Sequence, residues 1–433
     1  MPLKIHLAAL TIGLLLSIAN IKGQLYFEPV DLGVGLNLVR DIIRDDKGYL
    51  WIANDGIGLM RYDGLQVTRF QQNGSDSTSI CDNGVLCLLQ DSKKNIWIGT
   101  RNGLNRFDYK TQKISKFVHN ATNNKSISNN NINSIYEDHQ GNIWLTTDFG
   151  LNRFNDENQT FSHFIIANGD SIQNQLTNIK QDKQNNYWIA GLYPGIYAFN
   201  PSSGIFRHIT DTKQSSNSTL SKMILITNDN TIWIGSRGFG VAKFNTSPET
   251  FDYLPLNSPN GLNGNLVFDM IQESDSIILI GIDQGGINRY NINTGNVEYI
   301  NTKNKQSGHL TADGIYCFFK DHENILWVGT SRGGIFFSNP QRHIFRTFSQ
   351  KEDDGTNSNN SLPCNIIGCF FLDRDGQIWI GTDGGGISVF NPKTLKFKNY
   401  QHDPQNPYSI SSNVIRQITQ DRKGNIWIAT WNG

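Results

Sequence analysis

Carboxylates, thiols, imidazoles and glycine-rich loops carry the chemical capacity of this sequence, and their spacing limits what each can do. Asp373-Arg-Asp375-Gly376 begins like a calcium-binding loop, but no acidic residue closes it at the required distance. Gly381-Thr-Asp-Gly384-Gly-Gly386 is rich in glycine. The residues after it read as a strand, not as the helix whose N-terminus would hold a phosphate. His139 and His322 each follow an acidic turn residue, which places them on exposed turns. The five cysteines, Cys81, Cys87, Cys317, Cys364 and Cys369, include no C-x-x-C pair, so a zinc knuckle or redox motif is not expected. Cys87, Cys317 and Cys369 each stand four residues ahead of an Asp and share one strand position, that of a small buried side chain. The Cys81–Cys87 and Cys364–Cys369 spacings leave a disulfide open. Carboxylates recur singly, at turns, and nothing pairs an acid with a base. No catalytic residue, metal ligand or cofactor is expected.

Those turns punctuate 433 residues, a length that suits two or three domains. Lys and Arg (38) balance Asp and Glu (38), so no net field favours nucleic acid or an anionic membrane. Only 18% of residues are charged, while Asn, Ser, Thr and Gly are plentiful. That composition suits many short strands joined by many turns. At the N-terminus Lys4 precedes an apolar stretch from about Leu7 to Ala19, then a small-residue end at Ile21-Lys22-Gly23. This is the layout of a secretory signal. It is shorter than the roughly 20 apolar residues of a spanning helix. Residues 1–23 are therefore expected to be a signal peptide that exports the rest to the periplasm.

A repeat dominates the remainder of the chain. Its clearest copy is Asp91-Ser-Lys-Lys-Asn-Ile-Trp97-Ile-Gly-Thr100-Arg-Asn-Gly103-Leu-Asn-Arg-Phe107-Asp108. Copies are centred on Trp51, Trp97, Trp144, Trp188, Trp233, Leu279, Trp327, Trp379 and Trp427, 44 to 52 residues apart. In eight of the nine an acidic residue stands six positions ahead of the centre; the fifth has Asp229 four ahead of Trp233. Each copy reads as an apolar first strand, a turn such as Asp138-His-Gln-Gly141-Asn, and the Ile-Trp-Ile-Gly-Thr strand. A third strand such as Gly150-Leu-Asn-Arg-Phe154 and a short fourth, Lys113-Ile-Ser-Lys-Phe117, complete it. Four short strands at this period predict a blade of a β-propeller. A Trp at one place in every second strand reads as inter-blade packing. Burying its ~150–250 Å² contributes at most roughly 4–6 kcal/mol.

A propeller must close on itself. Leu25-Tyr-Phe-Glu-Pro-Val30 resembles an outer strand lying ahead of the first copy, and it would complete the last blade of a ring of seven copies. The seam falls where copy seven has Ser338 in place of the aromatic that ends the third strand elsewhere. His343-Ile-Phe345-Arg-Thr-Phe348 then opens a second ring in the same phase. The expected architecture is all-β, a seven-bladed propeller of four-stranded blades over 24–341. Residues 342–433 would be the first two blades of a second, with the chain ending in mid-blade. A single nine-bladed ring is the alternative.

The copies around Trp97 and Trp379 closely resemble the two-component regulator propeller repeat, as do stretches between copies such as Tyr408-Ser-Ile-Ser-Ser-Asn-Val414. The resemblance covers nearly all the chain from about residue 25. It is greatest to the periplasmic sensor region of hybrid two-component systems of the Bacteroides type. That resemblance implies a receptor anchored in the inner membrane and carrying a histidine kinase downstream. It also implies an oligosaccharide ligand, control of glycan-utilisation genes, and a homodimer in the full-length receptor. No phospho-accepting His motif or ATP-binding glycine box is present here, so any kinase activity belongs to a longer protein.

Propeller rings commonly bind on the face carrying the loops between second and third strands. Four or five residues after each centre, those loops hold Arg101, Phe149, Tyr193, Arg237, Asp283 and Arg332, and in the second ring Trp431. Converging aromatic and guanidinium groups would suit a sugar with acidic substituents. Solvated loop tips are the plainer reading of the same residues. A free-standing binding or scaffolding propeller without a kinase, and a propeller lyase or glycosidase, are the rival functions. The last would need convergent His, Tyr or carboxylate groups that the repeats do not supply.

Overall fold

The computed structural model describes residues 25–76, 79–166, 172–210, 220–303, 310–340, 348 and 361–431. The signal peptide expected at 1–23 lies outside them, as does the strand expected at His343–Phe348 apart from Phe348. The chain divides into two compact units, Met1–Pro340 and Gln341–Gly433.

The first unit is built of seven four-stranded antiparallel sheets. Blades 1 to 6 are simple meanders at 38–70, 85–117, 132–164, 176–209, 220–253 and 267–300. Blade 7 takes three strands from Ile315–Ser338, and its outer strand is Glu28–Pro29, paired with Phe337 and Phe336. Phe27 beside that strand is wholly buried in the apolar cluster between blades 6 and 7. Ser338 fits the same seam, because its hydroxyl accepts the Tyr26 N–H at 3.3 Å. Across the closure, Arg44 of blade 1 pairs with Asp321 of blade 7 at 2.9 Å. In the second unit 367–400 form one four-stranded blade, and Ile415–Gln420 pairs with Ile426–Thr430.

The repeat motif now has a physical reading, residue by residue. The acidic residue six ahead of each Trp folds its carboxylate back over the turn. Asp138 accepts from the Gln140 and Asn142 N–H groups and from the Trp144 indole at 2.7 Å. The same indole–carboxylate bond forms at Trp51, Trp97, Trp188, Trp327, Trp379 and Trp427. The left-handed position of the turn is filled by Gly141 (φ 81°) in blade 3, but by Lys94 (φ 71°) in blade 2. In blades 1 to 5 the Trp ring then meets the third-strand aromatic of the next blade. Centroids are 5.3 Å apart for Trp51–Phe107, 4.9 Å for Trp97–Phe154 and 5.4 Å for Trp188–Phe244. The Asn of Gly-Leu-Asn-Arg-Phe catches the loop entering its blade: Asn105 accepts from Cys81 N–H and Asn152 from Ser128 N–H, each at 2.8 Å.

Two copies depart from the rule. Leu279 has Glu273 six residues earlier, which turns to Arg289 at 2.7 Å instead. Trp233 has Thr227 there, and its buried indole nitrogen has no partner among the described residues. Burial also varies. Trp51, Trp97, Trp144, Trp188 and Trp233 are buried, Trp327 and Trp379 are half-buried, and Trp427 is 62% exposed. Trp427 is thus no core residue among the described residues, because no described blade follows to cover it. All five cysteines are free. Cys87 and Cys317 are buried, whereas Cys369 is half-buried. Each lies opposite a glycine, Gly99, Gly329 or Gly381, over which the thiol folds.

Candidate functional site at the mouth of the ring

In each blade of the first unit the ladder between first and second strands skips one residue near its start, a β-bulge. The skipped residues are Arg40, Leu86, Asn133, Thr177, Lys222, Phe268 and Tyr316 in blades 1 to 7. A bulge re-aims a side chain, and none of these seven joins the apolar clusters between blades. The start of a first strand pairs with the end of the second, as Leu38 does with Asp55. The bulges therefore lie on the same face as the loops between second and third strands.

Several of these side chains meet. Phe268 and Tyr316 stack with centroids 4.0 Å apart. Arg237 covers Phe268 at 4.6 Å and Arg40 covers Tyr316 at 5.6 Å. Arg40 also binds Asp55 at 2.8 Å, and Asp55 takes Arg101 at 2.7 Å. Burial opposes ionisation of Asp55, but the bonds from Arg101 and Arg40 prevail and hold its carboxyl below the usual range. A continuous polar and aromatic chain thus runs from Arg101 through Asp55, Arg40, Tyr316 and Phe268 to Arg237.

Of the residues expected on this face, Asp283 and Arg332 line one cleft of about 640 Å³ together with Asp313, Tyr316 and Ser331. Arg237 lines a smaller cavity of about 160 Å³ with Lys222, Asn133, Asp148 and Thr177. Arg101 reaches the group through Asp55. Phe149 is 42% exposed and Tyr193 rests half-buried against His208 at 5.1 Å; neither is among the described residues lining the two cavities. Trp431, in the second unit, is 65% exposed under the Arg416 guanidinium at 4.2 Å. Arg416 occupies the bulge of its own blade.

Deeper along the first strands of blades 1, 6 and 4, Asp41, Asp269 and Lys180 influence one another electrostatically. Burial, reinforced by Asp269, pushes the Asp41 carboxyl up to about 7 against hydrogen bonds from the Leu88 and Ile42 N–H groups. Burial likewise raises Asp269 to about 6 and lowers Lys180. These carboxylates bridge blades: Asp41 accepts from Leu88 of blade 2, and Asp269 from Phe318 of blade 7. The Asp373 turn, which resembled a calcium loop, spends its carboxylate on the Asp375 and Gln377 N–H groups and the Trp379 indole. No cluster of metal-ligating side chains occurs among the described residues. Nor is any helix there long and apolar enough to cross a membrane.

The bulged residues escaped the reading of the sequence, although a signal was present. Each stands eleven residues ahead of its blade's Trp or Leu centre.

Known proteins resemble both the sequence and the fold. A family model described as two component regulator propeller matches residues 79–102, 126–149, 309–332, 361–384 and 409–432. Histidine kinase P4 of Formosa agariphila is 26% identical over 180 residues, 40% of this chain and 12% of its own length. The extracellular domain of BT3049 from B. thetaiotaomicron, assigned to a hybrid two component system, superposes with a TM-score of 0.66 at 21% identity. That match covers 95% of this chain and 64% of the other. Virginiamycin B lyase from Staphylococcus aureus has a TM-score of 0.56 at 16% identity, covering 73% of this chain and 99% of the enzyme. At such identities the likeness concerns the fold alone. In five stretches spaced along the blades, each spanning the loop, first strand and Asp–Trp hairpin, this chain is similar to the two-component regulator propeller repeat.

Proposed function

We propose that this chain is the ligand-sensing propeller region of a hybrid two-component sensor histidine kinase. In this reading it is exported to the periplasm and detects oligosaccharides to control glycan-utilisation genes. The full-length receptor is anchored in the inner membrane and works as a homodimer. The observation that carries the reading is the mouth of the first unit. There a ring of two-component regulator repeats gathers aromatic, guanidinium and carboxylate groups around a cleft large enough for a sugar residue. Sugars are bound by such mixed surfaces, in which rings or stems meet the C–H faces and fixed polar groups select the hydroxyls. Catalysis forms no part of this reading.

The test is calorimetric titration of the chain with a panel of neutral and acidic oligosaccharides, followed by Tyr316→Ala and Arg237→Ala, at residues that line the two cavities. Binding by at least one class, weakened by these changes, is the expected result. Silence across the panel would remove the saccharide reading. Unaltered binding by both variants would move the site away from this mouth.

A further inference from the structure

We infer that the small cavity under Lys222 and Arg237 is an anion pocket, which receives a carboxylate or sulfate group borne by the saccharide. The inference rests on the saccharide-sensing reading and specifies its ligand.

Three cations crowd this side of the mouth: Arg40, Lys222 and Arg237. Arg40 is neutralised by Asp55 at 2.8 Å. Among the described residues neither Lys222 nor Arg237 forms an ion pair, and the Arg237 Nε is buried without a hydrogen-bond partner. An unpaired buried donor is costly, and a buried charge more so, unless a partner of opposite sign arrives. The strain is visible at Lys222. Burial, with Arg237 and Arg40 adding, pushes its ammonium down to about 8.

Asp148, the carboxylate of the cavity, accepts from the Asn131 and Asn133 amides at 2.8 and 2.9 Å, and its single negative charge is outnumbered by the two cations, Lys222 and Arg237. Asn133 gives its second amide hydrogen to the Leu176 carbonyl, and Thr177 gives its hydroxyl to the Ser221 carbonyl. The free donors facing the cavity are therefore the ammonium and the guanidinium. At about 160 Å³ the cavity has room for a carboxylate or sulfate group. The sugar that bears the group would extend toward the Asp283–Arg332 cleft. The stack of Arg237 on Phe268 and Tyr316 holds the guanidinium plane in place, so its fork is set before the ligand arrives.

Three probes separate the sources of charge: digalacturonic acid carries carboxylates, galactose 6-sulfate a sulfate, and galactobiose neither. Titrated into the chain, at least one charged probe should bind about tenfold or more tightly than galactobiose, the scale of a charge-assisted hydrogen bond. Lys222→Met and Arg237→Met, each checked for an intact thermal transition, should each abolish that margin. Two variants on different strands guard against loss through misfolding of one. Equal binding of charged and neutral probes, or a margin that survives both variants, would overturn the anion pocket while leaving saccharide sensing intact. Failure of all three probes would also overturn it, and the wider oligosaccharide panel alone would then decide the sensing reading.

Discussion

The indole nitrogen of Trp97 donates to the Asp91 carboxylate at 2.8 Å, while its ring meets Phe154 of the next blade edge-on at 4.9 Å. One side chain thus ties the hairpin of its own blade to the packing of its neighbour. Asp91 also accepts from the Asn95 N–H and side-chain amide. Asp91→Ala strands those donors, and a buried donor left unpaired costs roughly 1–3 kcal/mol. The expected outcome is a urea midpoint lowered accordingly, with the slope unchanged. An unmoved midpoint would mean that the carboxylate only decorates the turn.

The reverse experiment is available in blade 5. Thr227 stands where the other Trp-centred blades have Asp, and the Trp233 indole is buried unpaired. Thr227→Asp supplies the missing acceptor and should stabilise the chain by about 1 kcal/mol, the net value of an ordinary hydrogen bond. The same change combined with Trp233→Phe should lose that gain, since no donor is then left to satisfy. Thermal unfolding of the two single variants and the double variant measures it.

Cys87 lies over Gly99. A methyl group placed on Gly99 would come within 2.4 Å of the Cys87 sulfur and 2.9 Å of Ile132 Cγ2. Overpacking of this kind costs about 1–3 kcal/mol. Gly99→Ala should therefore destabilise the protein, and Cys87→Ala in the same chain should recover part of the loss. If the two changes simply add in a double-mutant cycle, the thiol and the glycine are not complementary.

Asp41 gives the pH prediction. Its carboxyl is pushed up to about 7 in the folded chain, chiefly by burial, against 3.8 as the ordinary value. Between those limits the folded state keeps a proton that the unfolded state has released, so the contribution of Asp41 to stability falls as pH rises. Asp41→Asn cannot ionise. It alters the hydrogen bonds to Leu88 and Ile42 equally at all pH values. The difference in Tm between variant and wild type should then shift toward the variant from pH 5 to pH 8. A difference constant with pH would show that the carboxyl titrates normally.

What the sequence revealed of this fold depended on sameness. Tryptophan, its acidic partner and Gly-Leu-Asn-Arg-Phe recur because every blade solves one packing problem in one way, and recurrence is visible in a lone sequence. Ser338 was legible for the same reason, as a break in an otherwise aromatic column. The mouth was legible only in part. Arg237, Asp283 and Arg332 could be found by counting from the Trp or Leu centre, since they sit on a loop of fixed offset. Lys222, Phe268 and Tyr316 stand at an equally fixed offset, eleven ahead of the centre, but nothing in their residue types drew attention to it. They share a bulge, and a bulge is a property of the ladder between two strands, while the residues filling it have nothing in common. The stacking of Phe268 on Tyr316 and the crowding of Lys222 with Arg40 and Arg237 are tertiary facts that residue type alone does not encode.

The bulges also bear on how such a ring can change. A residue omitted from its ladder and absent from the apolar clusters can change identity without repacking the core of the blade that carries it. Arg, Leu, Asn, Thr, Lys, Phe and Tyr already stand at equivalent points of one ring. On the sensing reading proposed above, the ligand a ring accepts can therefore drift while its architecture holds still, and exchanging these seven residues between two rings is the natural route to retargeting one.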